Sequence, residues 1–149
     1  MKAITIHQPY ASLIAVGAKR YETRSWATRY RGQIATHAGK QDWTGRMSSE
    51  EITAAINAFT GTRYEVASGR AENNYDYIYP YGAVIATAEL VDCIKIIETT
   101  EIYKPELLFG DFTAGRYIWV LANVKMFPEP IPERGKQGLW EWESDYAVR

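Results

Sequence analysis

The sequence predicts an α+β barrel of five or six mostly antiparallel strands with two or three short helices. Three observations predict it. Several short stretches alternate apolar and polar residues with the period of a strand, as in KAITIH and GAVIATAELVDCIKII. Two stretches, PYASLIAVG and SSEEITAAINAF, instead carry apolar residues at helical spacing. Aromatic residues make up 13% of the chain, with 11 Tyr and 5 Trp, a composition that favours strands.

Taken in order, residues 2–7 place Ile4 and Ile6 on one face of a first strand. Pro9 suits the first turn of a helix, where a missing N–H costs nothing. Tyr10, Leu13, Ile14 and Gly17 then follow i, i+3, i+4, i+7, and Gly17 is a natural C-terminal stop. Residues 19–26, KRYETRSW, alternate again; ideal alternation sets Arg20, Glu22, Arg24 and Trp26 on one side and Lys19, Tyr21 and Thr23 on the other. After a Tyr30-Arg31-Gly32 turn, QIATHA (33–38) is a strand and 39–45 a loop.

Residues 48–59 fit a helix capped by Ser48 or Ser49, with Glu50 and Glu51 at its positive end and Ile52, Ile56 and Phe59 on one face. Residues 60–81 show no clear period and read as a long loop, with Tyr75, Tyr77, Tyr79 and Tyr81 alternating as an aromatic edge. The stretch 82–97 is the strongest strand signal, long enough to bend through two sheets of a barrel. A helical turn interrupted at Pro105 is expected within 99–112, a strand over 116–127 with Trp119 and Leu121 facing one way, and a short strand at 138–142. No repeat or linker divides the chain, so 1–149 reads as one domain with 41–81 as a helix-plus-loop insertion.

Composition excludes several function classes. One cysteine, Cys93, permits neither an internal disulfide nor a Cys-based zinc cluster, and its β-branched neighbours read it as a buried thiol. Two histidines thirty positions apart, His7 and His37, are a weak zinc case, so no metal is expected. There is no G-x-S-x-G elbow, no Walker loop and no G-x-G-x-x-G, and no cofactor is expected. No apolar run approaches the roughly 18 residues of a membrane span, and the start MKAITIHQPY is too short and polar for a signal peptide, which points to a cytoplasmic location. The net charge of −1 is uneven: residues 1–48 carry eight Lys/Arg against two acids (+6), and 49–149 carry nine against sixteen (−7). Either one face meets an anionic partner or the strands scatter these charges over the surface.

The densest charge lies in GAKRYETRSW, Gly17–Trp26. A surface ladder of ion pairs is one reading, and such pairs contribute little. A site wall is the other. A lysine near other cations has a lowered pKa and serves as base or nucleophile. A carboxylate accepts from a base amino group or shuttles a proton. Arginine grips phosphate or carboxylate as a fork, and Trp26 and Tyr10 offer faces for a planar ring.

QPYASLIAVGAKRYETRSW followed by YRGQIATHAGK resembles the ASCH (ASC-1 homology) family, whose fold belongs to the PUA-like barrels. The resemblance rests on Gln8-Pro9-Tyr10-Ala11, on G-x-K-x-x-E-x-R as Gly17, Lys19, Glu22 and Arg24, and on Ser25-Trp26, Tyr30-Arg31-Gly32, His37-Ala38 and Gln137-Gly138-Leu139-Trp140. It is dense over 4–40. It implies a cleft between the first helix and the barrel lined by Lys19, Glu22 and Arg24, and a ligand that is RNA or a modified nucleoside. Some small bacterial relatives look like amidohydrolases of N4-acetylcytidine with a Lys, a Thr and a Glu, and ribonuclease activity has been proposed for others. Lys19 matches that lysine; Glu22 stands where the threonine is, a departure from that branch; Glu89 is a candidate for the third residue.

Three readings follow. The first is a binding module for RNA or a nucleoside- or nucleotide-like ligand, with Arg24, Arg31 or Lys40 on phosphates, Trp26 or Tyr10 under a base, and Gln8, Ser25 and His37 contributing from the matched motif. The second is a metal-independent amidohydrolase with Lys19 as base or nucleophile, Glu22 as proton shuttle and Arg24 stabilising the oxyanion. The third is a protein-interaction module using the 60–81 tyrosines. Trp119, Trp140 and Trp142 are expected to pack in the core or its rim, His37 to bond backbone or the motif carboxylate, and Arg31 alternatively to pin its own loop. Strict alternation turns Lys19 away from Glu22 and Arg24, but the Gly17-Ala18 turn is expected to swing it inward.

Overall fold

The computed structural model describes residues 1–40 and 80–145. The helix expected at 48–59, almost all of the 41–81 insertion and the tyrosines at 75, 77 and 79 fall outside the described residues.

Alternating apolar residues build one curled six-stranded sheet, a half-barrel. In chain order the strands are β1 (Lys2–Ile6), β2 (Tyr21–Arg24), β3 (Gly32–Ala38), β4 (Ala83–Lys95), β5 (Tyr117–Pro132) and β6 (Leu139–Glu141). Their order across the sheet is β2-β5-β4-β3-β1-β6. All pairs are antiparallel except β1 with β3, which run parallel with Ile4 opposite Thr36 and Ile6 opposite Ala38. A parallel neighbour needs a crossover, and helix α1 (Tyr10–Ala15) begins it. The long strands β4 and β5 pair along most of their length, with register shifts between Val84 and Ala86, Thr87 and Glu89, and Leu90 and Asp92. Such irregularities increase local twist and bend the strands, which curls the sheet.

Period-two alternation splits the apolar residues between the two faces. One face carries α1 and the larger core, including Ile4, Ile6, Ile14, Ile34, Leu90, Trp119 and Leu121. The other holds Ala3, Ala35, Val84, Phe127, Trp140 and Trp142. All three tryptophans expected in the core are buried.

Several boundaries differ from expectation for local reasons. Pro9 lies just before the helix, as its N-cap, rather than in its first turn. Gly17, at φ +83°, ends α1 in a Schellman motif: the Ala18 N–H donates to Leu13 O at 2.9 Å and the Gly17 N–H to Ile14 O at 3.0 Å. Strand β2 is four residues long, not eight, and it ends at Arg24 because its partner β5 starts only at Tyr117, opposite it. Pro105 does not interrupt a helical turn; it sits at the start of a 3₁₀ segment, Lys104–Phe109, where its missing N–H is tolerated. Strand β5 runs five residues past its expected end. Cys93 is only partly buried and packs against the rim of the larger core.

Candidate functional site

The Schellman turn decides where the motif's first charge goes. With Gly17 in the left-handed region, Lys19 N–H also folds back onto Leu13 O, at 3.0 Å, and its side chain turns inward. Lys19 is 1% exposed. Its ammonium donates to Tyr21 O at 2.5 Å and to the carbonyl of Phe109, and lies 5.6 Å from the centroid of the Tyr10 ring. Burial lowers its pKa, opposed by the charges of Glu22 and Glu106 and assisted by Arg24.

Edge strand β2 pairs with β5 on one side only; on the other, residues 103–111 run past it as a strap. Backbone groups with no ladder partner are met by side chains there. The Arg20 N–H donates to Glu106 Oε1 at 2.7 Å, the Asp111 N–H to Thr23 Oγ1 at 3.3 Å, and Arg116 Nη2 to Thr23 O at 3.4 Å. Arg116 also reaches Asp111, with Nε 3.1 Å from its carbonyl oxygen and 3.6 Å from Oδ2. Lys19 joins β2 and strap from below.

Between α1, β2 and the strap lies a cleft of about 500 Å³, within the usual range for small-ligand sites. Its walls include Tyr10, Glu22, Thr23, Arg24, Ser25 and Trp26, with Leu107, Leu108 and Arg116 opposite. Trp26 is 37% exposed and packs edge-on against Trp119, with ring centroids 4.8 Å apart. Trp119 Nε1 donates to Trp26 O at 3.3 Å, which fixes the backbone there. Arg24 Nη2 donates to Thr5 O at 2.8 Å, and its Nε stands 4.0 Å from Glu22 Oε1. Glu22 is 8% exposed, and its second oxygen, Oε2, is buried with no hydrogen-bond partner among the described residues. An unpaired buried carboxylate oxygen is costly unless a ligand donor meets it.

Of the residues singled out in the sequence, Tyr10, Glu22, Arg24, Ser25 and Trp26 therefore meet in the cleft. Lys19 lies beneath it rather than on its wall. Gln8 does not line the cleft: it is fully buried, its Nε2 donating to Pro80 O at 2.7 Å and its Oε1 accepting from the Ser12 N–H at 3.0 Å, so both ends of the amide are used to start α1 and tie it to Pro80. Arg31 does not line the cleft; it pins its own loop through Thr28 O and Tyr30 O at 3.0 and 2.9 Å and pairs with Asp92 at 3.5 Å. Glu89 is exposed on β4 and accepts from Asn123 at 3.1 Å, away from the cleft. His37 is buried under a different loop, where its Nε2 donates to Glu133 O at 2.8 Å and its ring meets Trp140 edge-on.

The carboxylate that does approach Lys19 from afar is Glu106, which is 3% exposed. Burial raises its pKa, against the lowering effects of the Arg20 N–H and of Lys19. Glu106, Asp111, Arg116 and the two leucines were missed. Nothing in KPELLFGDF marks it as the partner of a segment about 85 positions earlier; only the sheet order brings the strap to β2.

Among the described residues no helix is long and apolar enough to cross a membrane. A family model described as ASCH domain matches residues 4–131. The chain is also 26% identical over 141 residues to the mouse Activating signal cointegrator 1 and 23% identical over 141 residues to the human one. Each alignment covers 95% of this chain and 22% of the relative, so the chain spans about a fifth of their length.

Proposed function

Because the chain belongs to the ASCH domain family, a family associated with RNA binding, we propose that its cleft binds a single unpaired base of an RNA strand or a free nucleoside. The unpartnered Oε2 of Glu22 carries this reading. A carboxylate oxygen with no donor of its own selects a ligand that brings one, such as the amino group of cytosine, adenine or guanine. Trp26 and Tyr10 supply flat faces beside it, and stacking on such faces contributes about 1–3 kcal/mol per base. The charges lining the cleft include both signs, Glu22 and Asp111 against Arg24 and Arg116, which suits an uncharged ring rather than a phosphate.

The test is a panel of cytidine, adenosine, guanosine and uridine, free and as short oligonucleotides, titrated against the protein and its Glu22→Gln and Trp26→Ala variants. Binding that favours amino-bearing bases, loses that preference in Glu22→Gln and weakens in Trp26→Ala supports the reading. Equal affinity for every base in all three proteins sinks it.

A second reading has one observation in its favour. Lys19 has a lowered pKa and lies near both Glu22 and Glu106, a grouping suited to proton transfer in amide hydrolysis of an acylated cytidine-type nucleoside. Against it, the Lys19 ammonium is spent on two backbone carbonyls and is not on the cleft wall. Incubating the same panel, with N4-acetylcytidine added, separates the two by mass spectrometry: a deacylated product would favour the hydrolase, and intact nucleoside the binding site. The cleft's volume counts against a flat protein-docking face.

A further inference from the structure

A second and larger cavity, about 1190 Å³, opens beside the cleft. Its floor is β1 and the end of β3, and its outer wall is the end of β5 at Pro132 with the loop 133–138 that leads to β6. The two cavities share His7 and Arg24, which stand between them. Their charge differs sharply. The cleft mixes signs, whereas the second cavity gathers, among the described residues, Arg24, Lys40, Arg134 and Lys136 against the carboxylate of Glu133. Four glycines, Gly39, Gly82, Gly135 and Gly138, also line it, so backbone is open to close approach there.

The loop that forms the wall is anchored. Thr5 Oγ1 donates to Lys136 O at 3.1 Å, His37 Nε2 to Glu133 O at 2.8 Å, and the Glu133 N–H to Gly82 O at 3.1 Å. Lys136 Nζ rests 5.7 Å from the Trp140 ring centroid. These fastenings hold a cationic rim in place, as a backbone-binding groove requires, without using up the charges of Arg134 and Lys40. The His37 Nδ1 atom is buried in this wall with no hydrogen-bond partner among the described residues.

We infer that this second cavity is a phosphodiester groove, holding the backbone next to the nucleotide whose base enters the cleft, with Arg24 and His7 at the junction. The inference rests on the reading of the cleft as a base site and extends it from a nucleoside to a strand of at least two nucleotides. The division of labour follows from the charges: the aromatic, charge-balanced compartment takes the ring, and the cationic, glycine-lined one takes the phosphates. Of the four cations in the groove, Arg24 and Lys40 come from the basic first third of the chain, as do both histidines.

The test uses single-stranded RNA octamers of C, A and U, with affinity measured across a fourfold range of salt. Each phosphate contact contributes about 0.7 to the slope of log affinity against log salt, or roughly a 2.6-fold loss over that range. The variants are Arg134→Ala with Lys136→Ala, and Arg134→Glu alone, an exposed change that keeps the measurement sound should the double variant fold poorly. Both are expected to flatten the slope by about one contact or more, while Trp26→Ala lowers affinity at every salt concentration with the slope unchanged. If the Arg134 and Lys136 variants keep the full slope while Trp26→Ala weakens binding, the groove is wrong and the base site stands. If Trp26→Ala has no effect but the slope still flattens, the groove stands and the base site is wrong. If the unaltered protein binds no octamer, both fall.

Discussion

The ammonium of Lys19 donates to the carbonyl oxygen of Phe109, ninety positions along the chain, and so ties the entry of β2 to the strap that closes the cleft. The same ammonium donates to Tyr21 O. Lys19 thereby clamps β2 to the strap beneath the cleft.

Replacing Lys19 with Met removes the donor from two carbonyls, Tyr21 O and Phe109 O, at a cost of about 1–3 kcal/mol for each group left unpaired. The expected result is a lower Tm and faster amide exchange over residues 106–111, read by hydrogen exchange. The pH dependence has a definite sign. Lys19 has its pKa lowered in the folded state, so the unfolded chain binds more protons between that lowered value and the ordinary 10.5. The stability of the unaltered protein relative to Lys19→Met therefore rises with pH through that window. A gap that narrows toward alkaline pH would contradict the burial of Lys19.

Glu106 predicts the opposite trend at acid pH. Its carboxyl is pushed above its ordinary 4.5, so the folded state holds the proton longer. Its contribution is greatest below 4.5 and declines as pH rises through the raised value. In Glu106→Gln that decline is absent, and denaturant midpoints of the two proteins across this range should converge toward acid.

Glu22→Gln is expected to lower stability, because it removes the carboxylate that stands 4.0 Å from Arg24 Nε and favours the charged form of the buried Lys19. Affinity for an amino-bearing base should fall by roughly tenfold or more, the loss of a hydrogen bond to a charged group at about 1.5–3 kcal/mol. Parallel thermal melts and ligand titrations check both halves.

Gln8→Leu separates folding from binding. Gln8 bonds Pro80 O and the Ser12 N–H from a fully buried position. Its loss should cost about 1–3 kcal/mol for each buried group left unpaired. At a temperature where the variant is folded, base affinity should match that of the unaltered protein. A selective loss of affinity at full stability would return Gln8 to the binding site.

Gly135→Ala probes the groove wall. A Cβ there would lie 2.7 Å from His37 Cε1, 2.9 Å from its Nδ1 and 2.9 Å from Thr5 Oγ1. None of these is the far end of a flexible side chain, so the loop must shift, with a cost of about 1–3 kcal/mol typical of overpacking. Thermal denaturation gives the size of the effect, and an unchanged Tm would show that the loop does not press on His37.

Local pattern determined much of this protein. The alternation of Ile4 with Ile6, the long apolar run from Ala83, and the helix that stops at Gly17 are dictated by side-chain period and by a backbone angle that glycine tolerates best. The same local rule made the inward turn of Lys19 legible. Neighbourhood in sequence also brings Tyr10, Glu22, Arg24, Ser25 and Trp26 to one cleft, because one short crossover carries them all. It could not separate contact from support: Gln8, Arg31 and Lys19 lie within or beside the same motif, yet their polar groups are taken up by backbone carbonyls and amides. Only the tertiary structure brings the 103–111 strap to the free edge of β2 and the 133–138 loop to β1. Edge backbone groups must find partners, and the sheet order, set by pairing over long separations, decides which segments of the chain provide them.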